Sequence, residues 1–182
     1  METDDRELIL ELKAEKTRER AFQRLVHLYQ ERLYWHIRKM LMNHDDTDDV
    51  LQNTFVKVWK NIDSFREESS LFTWLYRIAT NESITFLNSR KRRSLLPMNE
   101  VSDYLMENLT SDPYFDGDQL QMKLQKAILQ LPEKQRIVFN MKYFDEMKYE
   151  EMSQILNTSV GALKASFHHA AKKVEDYIKN ID

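Results

Sequence analysis

The chain has 182 residues, 42% of them apolar and 31% charged, with no cysteine and a formal net charge of −3. That balance is globular, fits one medium domain or two small ones, and excludes disulfides, thiolate metal sites and coating of nucleic acid by bulk positive charge. Two glycines and three prolines leave little strand-turn punctuation, so an all-α fold is expected.

No apolar run approaches the ~20 residues of a membrane span, and the acidic start METDDRE lacks the parts of a signal peptide. A cytoplasmic chain without membrane insertion is expected. Arg6 to Lys16 reads as a short amphipathic helix. Ala21 to Asn43 reads as a longer one, with Phe22, Leu25, Tyr29, Leu33, Ile37 and Leu41 near a helical period. The acidic run 45–49 (DDTDD) falls at the start of a third helix through Val50, Phe55 and Trp59, where carboxylates cap free N–H groups and suit the dipole. NIDSFREESS reads as a loop. A helix from Leu71 to Arg90 follows, with Phe72, Leu75, Ile78 and Ala79 inward.

Pro97, Pro113 and Gly117 fall between residues 94 and 118, marking a flexible linker with one short helical turn around Val101 to Leu109. Two helical domains are therefore expected, 1–94 and 119–182, joined by a linker at 95–118. The second opens with Gln119 to Leu131, breaks at Pro132, and resumes through Ile137 and Met141. Tyr149 to Leu156 is a short helix. Asn157, Thr158 and Ser159 then form a turn, since Asn tolerates the left-handed conformation and Ser or Thr caps the next helix. The last helix runs from Val160 to Ile178, with Leu163, Phe167, Ala170, Val174 and Tyr177 inward.

Seven aromatics lie between Thr54 and Arg93, a stretch that ends in the basic run Arg90, Lys91, Arg92 and Arg93. Rings stack on bases and guanidinium groups meet phosphates, so a polynucleotide is a candidate partner. The same rings at helical spacing also suit a core. The short helix, turn and long helix at the C-terminal end form a helix-turn-helix pattern that presents Lys164, Ser166, His168, His169, Lys172 and Lys173 outward. Ordinary bundles contain such pairs too. Adjacent His168 and His169 point about 100° apart on a helix, which disfavours a shared metal, and DDTDD lacks calcium-loop spacing. With no Gly-rich phosphate loop, no HExxH and no cysteine, neither an enzyme nor a cofactor is indicated.

DDVLQNTFVKVWKNIDSFREESSLFTWLYRIATNESITFLNSRKRR, then LPEKQRIVFNMKYFDEMKYEEMSQILNTSVGALKASFHHAAKKV after a linker, resembles the two signatures of the extracytoplasmic-function sigma factors of bacterial RNA polymerase. The likeness covers nearly the whole chain, in order and at the right spacing. It implies that the first domain docks on the clamp helices of the polymerase largest subunit and captures the melted minus-ten element. Asp48, Asp49 and Gln52 match the docking helix, with Asn53 where the family usually has Glu. The loop from Asn61 to Ser70 corresponds to the one that receives a flipped base, making Phe65, Arg66 and Ser69 candidates for its walls and hydrogen bonds. Arg77, Asn81 and Arg90 to Arg93 would hold phosphates. Trp74 and Tyr76 remain ambiguous, with core packing expected for Trp74.

The resemblance assigns the second domain to the minus-thirty-five element, through Ser159, Lys164, Ser166, His168, His169 and Lys172. Ser166 and His169 stand where family members often carry Arg, so a different base preference is expected. Core polymerase, promoter DNA and an anti-sigma protein are the implied partners. The competing reading is a free-standing helix-turn-helix regulator whose first domain oligomerises, and a third is a helical adaptor without a nucleic-acid role.

Overall fold

The computed structural model describes residues 3–94, 100–112 and 118–180, and every regular element among them is helical. The first domain comprises α1 (Thr3–Lys13), α2 (Arg18–Leu41), α3 (His44–Asn61) and α4 (Leu71–Ser94). On α2, Ala21, Leu25, Tyr29, Leu33, Ile37 and Leu41 recur every four residues and all are buried, forming the stripe about which α1, α3 and α4 assemble. Each of the fully buried Leu and Ile side chains contributes about 1.5–3 kcal/mol by leaving water. α2 stops where Met42 turns left-handed, at φ 55°. Extended Asn43 then caps α3 by accepting from the Asp46 N–H at 2.9 Å. A carboxylate was expected to cap this helix. The amide one step earlier does so, while Asp45 and Asp46 occupy the first turn at the positive end of the dipole.

The expected short turn in the linker is a full helix, α5 (Glu100–Ser111), while Pro97, Pro113 and Gly117 lie outside the described residues. Leu105 and Leu109 on α5 are buried, and packing of this apolar edge explains why the helix exceeds its sequence signal. The second domain comprises α6 (Gln119–Leu129), α7 (Glu133–Tyr143), α8 (Tyr149–Leu156) and α9 (Val160–Lys179). Pro132 separates α6 from α7. The turn into α9 forms as anticipated: Asn157 sits at φ 48°, and the Ser159 hydroxyl accepts from the Ala162 N–H at 3.3 Å.

α4 is buried over more of its circumference than an amphipathic reading allows, with Leu71, Trp74, Leu75, Tyr76, Ala79 and Leu87 buried beside Thr80 and Ser83. The cause is the second domain, whose α8 packs against it. The Thr80 and Ser83 hydroxyls donate to the Tyr76 and Ala79 carbonyls at 2.7 and 2.9 Å, which satisfies them inside the apolar contact. One apolar cluster therefore runs from Leu8 in α1 to Leu163 in α9, and a second, smaller one joins Ala127, Ile128, Phe139, Ala170 and Val174.

Candidate polymerase and nucleic-acid interfaces

The acidic run divides by direction. Asp46 is buried and accepts from Arg90 at 2.8 Å and from the Tyr104 hydroxyl. Asp48, Asp49, Gln52 and Asn53 are all exposed on the outer face of α3. That face continues into Val56 and Trp59, which are 44% and 39% exposed. Trp59 is held edge-on to Phe22 with centroids 5.0 Å apart. An acidic end and an apolar end on one helix face can bind a protein surface carrying basic and apolar groups. Val56 and Trp59 were absent from the sequence-derived set, although the step of seven residues from Asp49 to Val56 and from Gln52 to Trp59 carries the signal.

The loop before α4 begins with a short 3-10 turn, Ile62–Ser64, and passes through Glu67 at φ 58°. Ser64, Phe65, Arg66, Glu68, Ser69, Trp74 and Arg77 line a recess of about 250 Å³. Phe65 and Trp74 are buried and tilted together, with centroids 4.9 Å apart, and form its apolar wall. The Lys13 ammonium donates to the Phe65 carbonyl at 2.8 Å and so fastens this wall to α1. Ser70 caps α4, its hydroxyl accepting from the Thr73 N–H at 3.1 Å. A flat apolar wall facing hydroxyl, carboxylate and guanidinium groups suits one polar heterocycle, and the volume is below the roughly 300–1,000 Å³ of drug-sized sites. Trp74 thus packs in the core, as expected, and also lines the recess.

From the recess an exposed stripe climbs α4 through Arg77, Asn81, Thr85 and Arg92. Thr85 completes a four-residue step that the sequence reading passed over. Arg90 does not join the stripe: its guanidinium bonds Asp46 and lies 4.7 Å from the Tyr104 ring centroid and 5.2 Å from that of Phe86. The side chains of Lys91 and Arg93 lie outside the described residues.

On α9, Lys164, His168, His169 and Lys172 are exposed and Ser166 is half-buried. The Lys164 ammonium sits 5.7 Å from the Tyr149 ring centroid. Ser159 spends its acceptor on the helix cap. Gly161, Ala162 and Ala165 are exposed beside Lys164, and a side chain at Gly161 would meet open space. This is a protruding helix end with small residues that permit close approach. Leu124, Phe139, Tyr143, Phe167, Val174 and Ile178 line an apolar groove of about 460 Å³ across α6, α7 and α9, which no sequence motif announced.

Residues 25–93 match the Sigma-70 region 2 family and residues 121–174 match Sigma-70 region 4. The chain is 30% identical to the ECF RNA polymerase sigma factor SigW of Bacillus subtilis (strain 168), an alignment covering 88% of this chain and 90% of that relative. The chain belongs to the ECF sigma factors. It is also 27% identical to the ECF RNA polymerase sigma-E factor of Escherichia coli (strain K12), over 95% of this sigma factor and 94% of that one. Its fold resembles that of CnrH solved in complex with the cytosolic domain of CnrY, with a TM-score of 0.71 at 22% identity over 98% of this chain and 99% of that chain. The sigma factor RpoE of Bartonella quintana, solved with the anti-sigma factor NepR, gives a TM-score of 0.67 at 22% identity over 87% and 96% of the two chains. As an ECF sigma factor the protein serves transcription initiation. No helix among the described residues is long and apolar enough to cross a membrane.

Proposed function

We propose that the sigma activity is divided among four surfaces, with residues 1–94 docking on core polymerase and opening the minus-ten element and residues 119–182 reading the minus-thirty-five element. Asp48, Asp49, Gln52 and Asn53, continued by Val56 and Trp59, form the docking face. The recess at Phe65, Ser69 and Trp74 receives one base flipped from the non-template strand, with Arg66 and Arg77 at its rim. Extrusion costs a few kcal/mol of stacking and pairing. An aromatic wall and polar edges return that energy when the base enters, so strand opening proceeds on binding energy with no covalent step. Arg77, Asn81, Thr85 and Arg92 follow the strand along α4.

The N-terminal turns of α9 enter the major groove, with Lys164 at a base edge or phosphate and Lys172 at the backbone. Ala162 and Ala165 suit thymine methyl groups. An anti-sigma protein is the inferred regulator, supported by the fold relative RpoE solved with the anti-sigma factor NepR. The groove between Leu124 and Ile178 fits the apolar face of a regulator helix. The recess carries the whole reading, because a free-standing regulator of duplex DNA has no use for a base-sized site beside an acidic docking face. Run-off transcription with purified core polymerase on a genomic promoter pool tests it. Promoter-specific transcripts are expected, and duplex binding without transcripts would leave a free-standing regulator.

A further inference from the structure

The loop between α3 and α4 engages most of its polar side chains within the protein. The Asn61 amide donates to the Lys57 carbonyl at 2.8 Å, and the Ser64 hydroxyl donates to the Asn61 carbonyl at 2.7 Å. Asp63 accepts from Arg18, Glu67 accepts from the Lys13 ammonium at 3.2 Å, and Ser70 caps α4. Arg66, Glu68 and Ser69 have no such partner among the described residues, and all three line the recess. Arg66 and Glu68 stand two positions apart with opposite charges, yet they do not pair with each other. Between them Glu67 turns left-handed at φ 58°, and its own carboxylate is held by α1. One guanidinium fork and one two-oxygen acceptor are thus left to a guest beside the Phe65 and Trp74 wall.

We propose that the recess selects guanine, with Glu68 receiving the N1–H and 2-amino donors and Arg66 bonding the O6 and N7 acceptors of a base stacked on Phe65 and Trp74. The inference rests on the recess being the flipped-base site. An extruded base exposes its Watson–Crick edge to the protein. A carboxylate accepts two parallel N–H bonds and a guanidinium donates two, and such charge-assisted pairs are roughly twice as strong as neutral ones. Guanine carries both matches on one ring system, N1–H beside the 2-amino group and O6 beside N7.

The other bases fill this set less completely. Cytosine and adenine give the carboxylate a single amino group, and thymine gives it a lone N3–H between two carbonyls. Charged groups left without a full partner count against those bases, as in any site built around buried or half-buried hydrogen bonds. A two-ring base also covers more of the aromatic wall, whose centroids lie 4.9 Å apart, than a one-ring base does. Ser69 is half-buried, and its hydroxyl donates or accepts, so it suits any base. Selection therefore falls to Glu68 and Arg66. Arg77, which begins the exposed stripe on α4, is left for the strand's phosphates.

Templates whose minus-ten region is held open by mismatches remove the cost of melting, so holoenzyme binding to them reads base capture. Each of the four bases is placed in turn at each non-template position of the minus-ten region, in a promoter recovered from the genomic pool. At one position guanine should bind about tenfold or more tightly than any other base, the weight of one good bidentate pair. Hypoxanthine lacks only the 2-amino group and should lose most of that preference with wild type. Glu68→Gln should bind guanine and hypoxanthine alike. 7-Deazaguanine lacks the N7 acceptor and should weaken wild type while leaving Arg66→Ala unmoved. A merely structural role for either side chain would instead lower affinity for every base equally. The two analogues act on wild type, so they decide the matter even where a variant fails to fold.

Equal binding of guanine and hypoxanthine by wild type, or a preserved difference between them in Glu68→Gln, overturns guanine selection. So does a position where Phe65→Ala abolishes a preference for some other base, although base capture then stands. If Phe65→Ala changes base preference at no position, the flipped-base reading of the recess itself falls.

Discussion

The two regions proposed to face DNA are built on opposite plans. In the first domain, the loop at Asn61 to Ser70 folds back so that Phe65 and Trp74 make a wall with a base-sized recess, and Lys13 and Ser70 fix it in place. In the second, α9 presents small and basic residues on an open face with nothing enclosing them. Capture of an extruded base needs a preformed cavity, since its walls must replace lost stacking. Reading an intact duplex needs a protruding helix with clear access. The difference suits the proposed division, with strand opening in the first domain and sequence reading of duplex in the second.

Charge reversal by Asp49→Arg is the severest test, because both plans operate only on the polymerase. Core association should be abolished, and undiminished co-purification would remove α3 as the docking face. Phe65→Ala with Ser69→Ala attacks the recess. Open-complex formation should fall about tenfold or more while core binding persists, consistent with the few kcal/mol of base extrusion. Normal permanganate reactivity at the minus-ten element would erase the distinction between the regions. Lys164→Ala should weaken upstream-element binding by about 1–3 kcal/mol if it reads a base, without altering melting on a pre-opened template. Equal affinity across promoter variants would withdraw it from the reading face.

The smallest effect concerns the contact between the regions. Burial pushes the folded Asp145 carboxyl up, but the His36 hydrogen bond and the charges of His36 and Lys39 outweigh it and hold the group below its unfolded value. Its stabilisation is therefore complete above the ordinary carboxylate range and is lost as pH falls through the folded value. Asp145→Asn should flatten that acidic limb in denaturant titrations carried down through and below the ordinary carboxylate range. An unchanged limb would assign the acid sensitivity to other carboxylates.

Local signals carried much of this organisation. The four-residue stripe of α2, the break at Pro132 and the Asn157 to Ser159 turn are decided within a few residues, so the helices were legible in order. The outward placement of candidate residues such as Asp49, Asn81 and Lys164 was legible for the same reason. Long-range packing decided the remainder. Asp46 and Asp49 stand three residues apart in one acidic run, yet Asp46 is drawn inward by Arg90 and Tyr104, 44 and 58 residues away. Arg90 looked like part of a phosphate-binding run, and the structure also pairs its still exposed guanidinium with that same carboxylate. Thr80 and His36 read as ordinary helix residues. They join one hydrogen-bonded network with Asp145, 109 residues beyond His36, only when the chain folds. Apart from α5, which packing extends, the sequence alone determined the helices and the chemistry on their outer faces, since backbone propensity and apolar period act within a few turns. Which charges are spent inside, and which face of α4 the second domain covers, depended on groups that meet only when the chain folds.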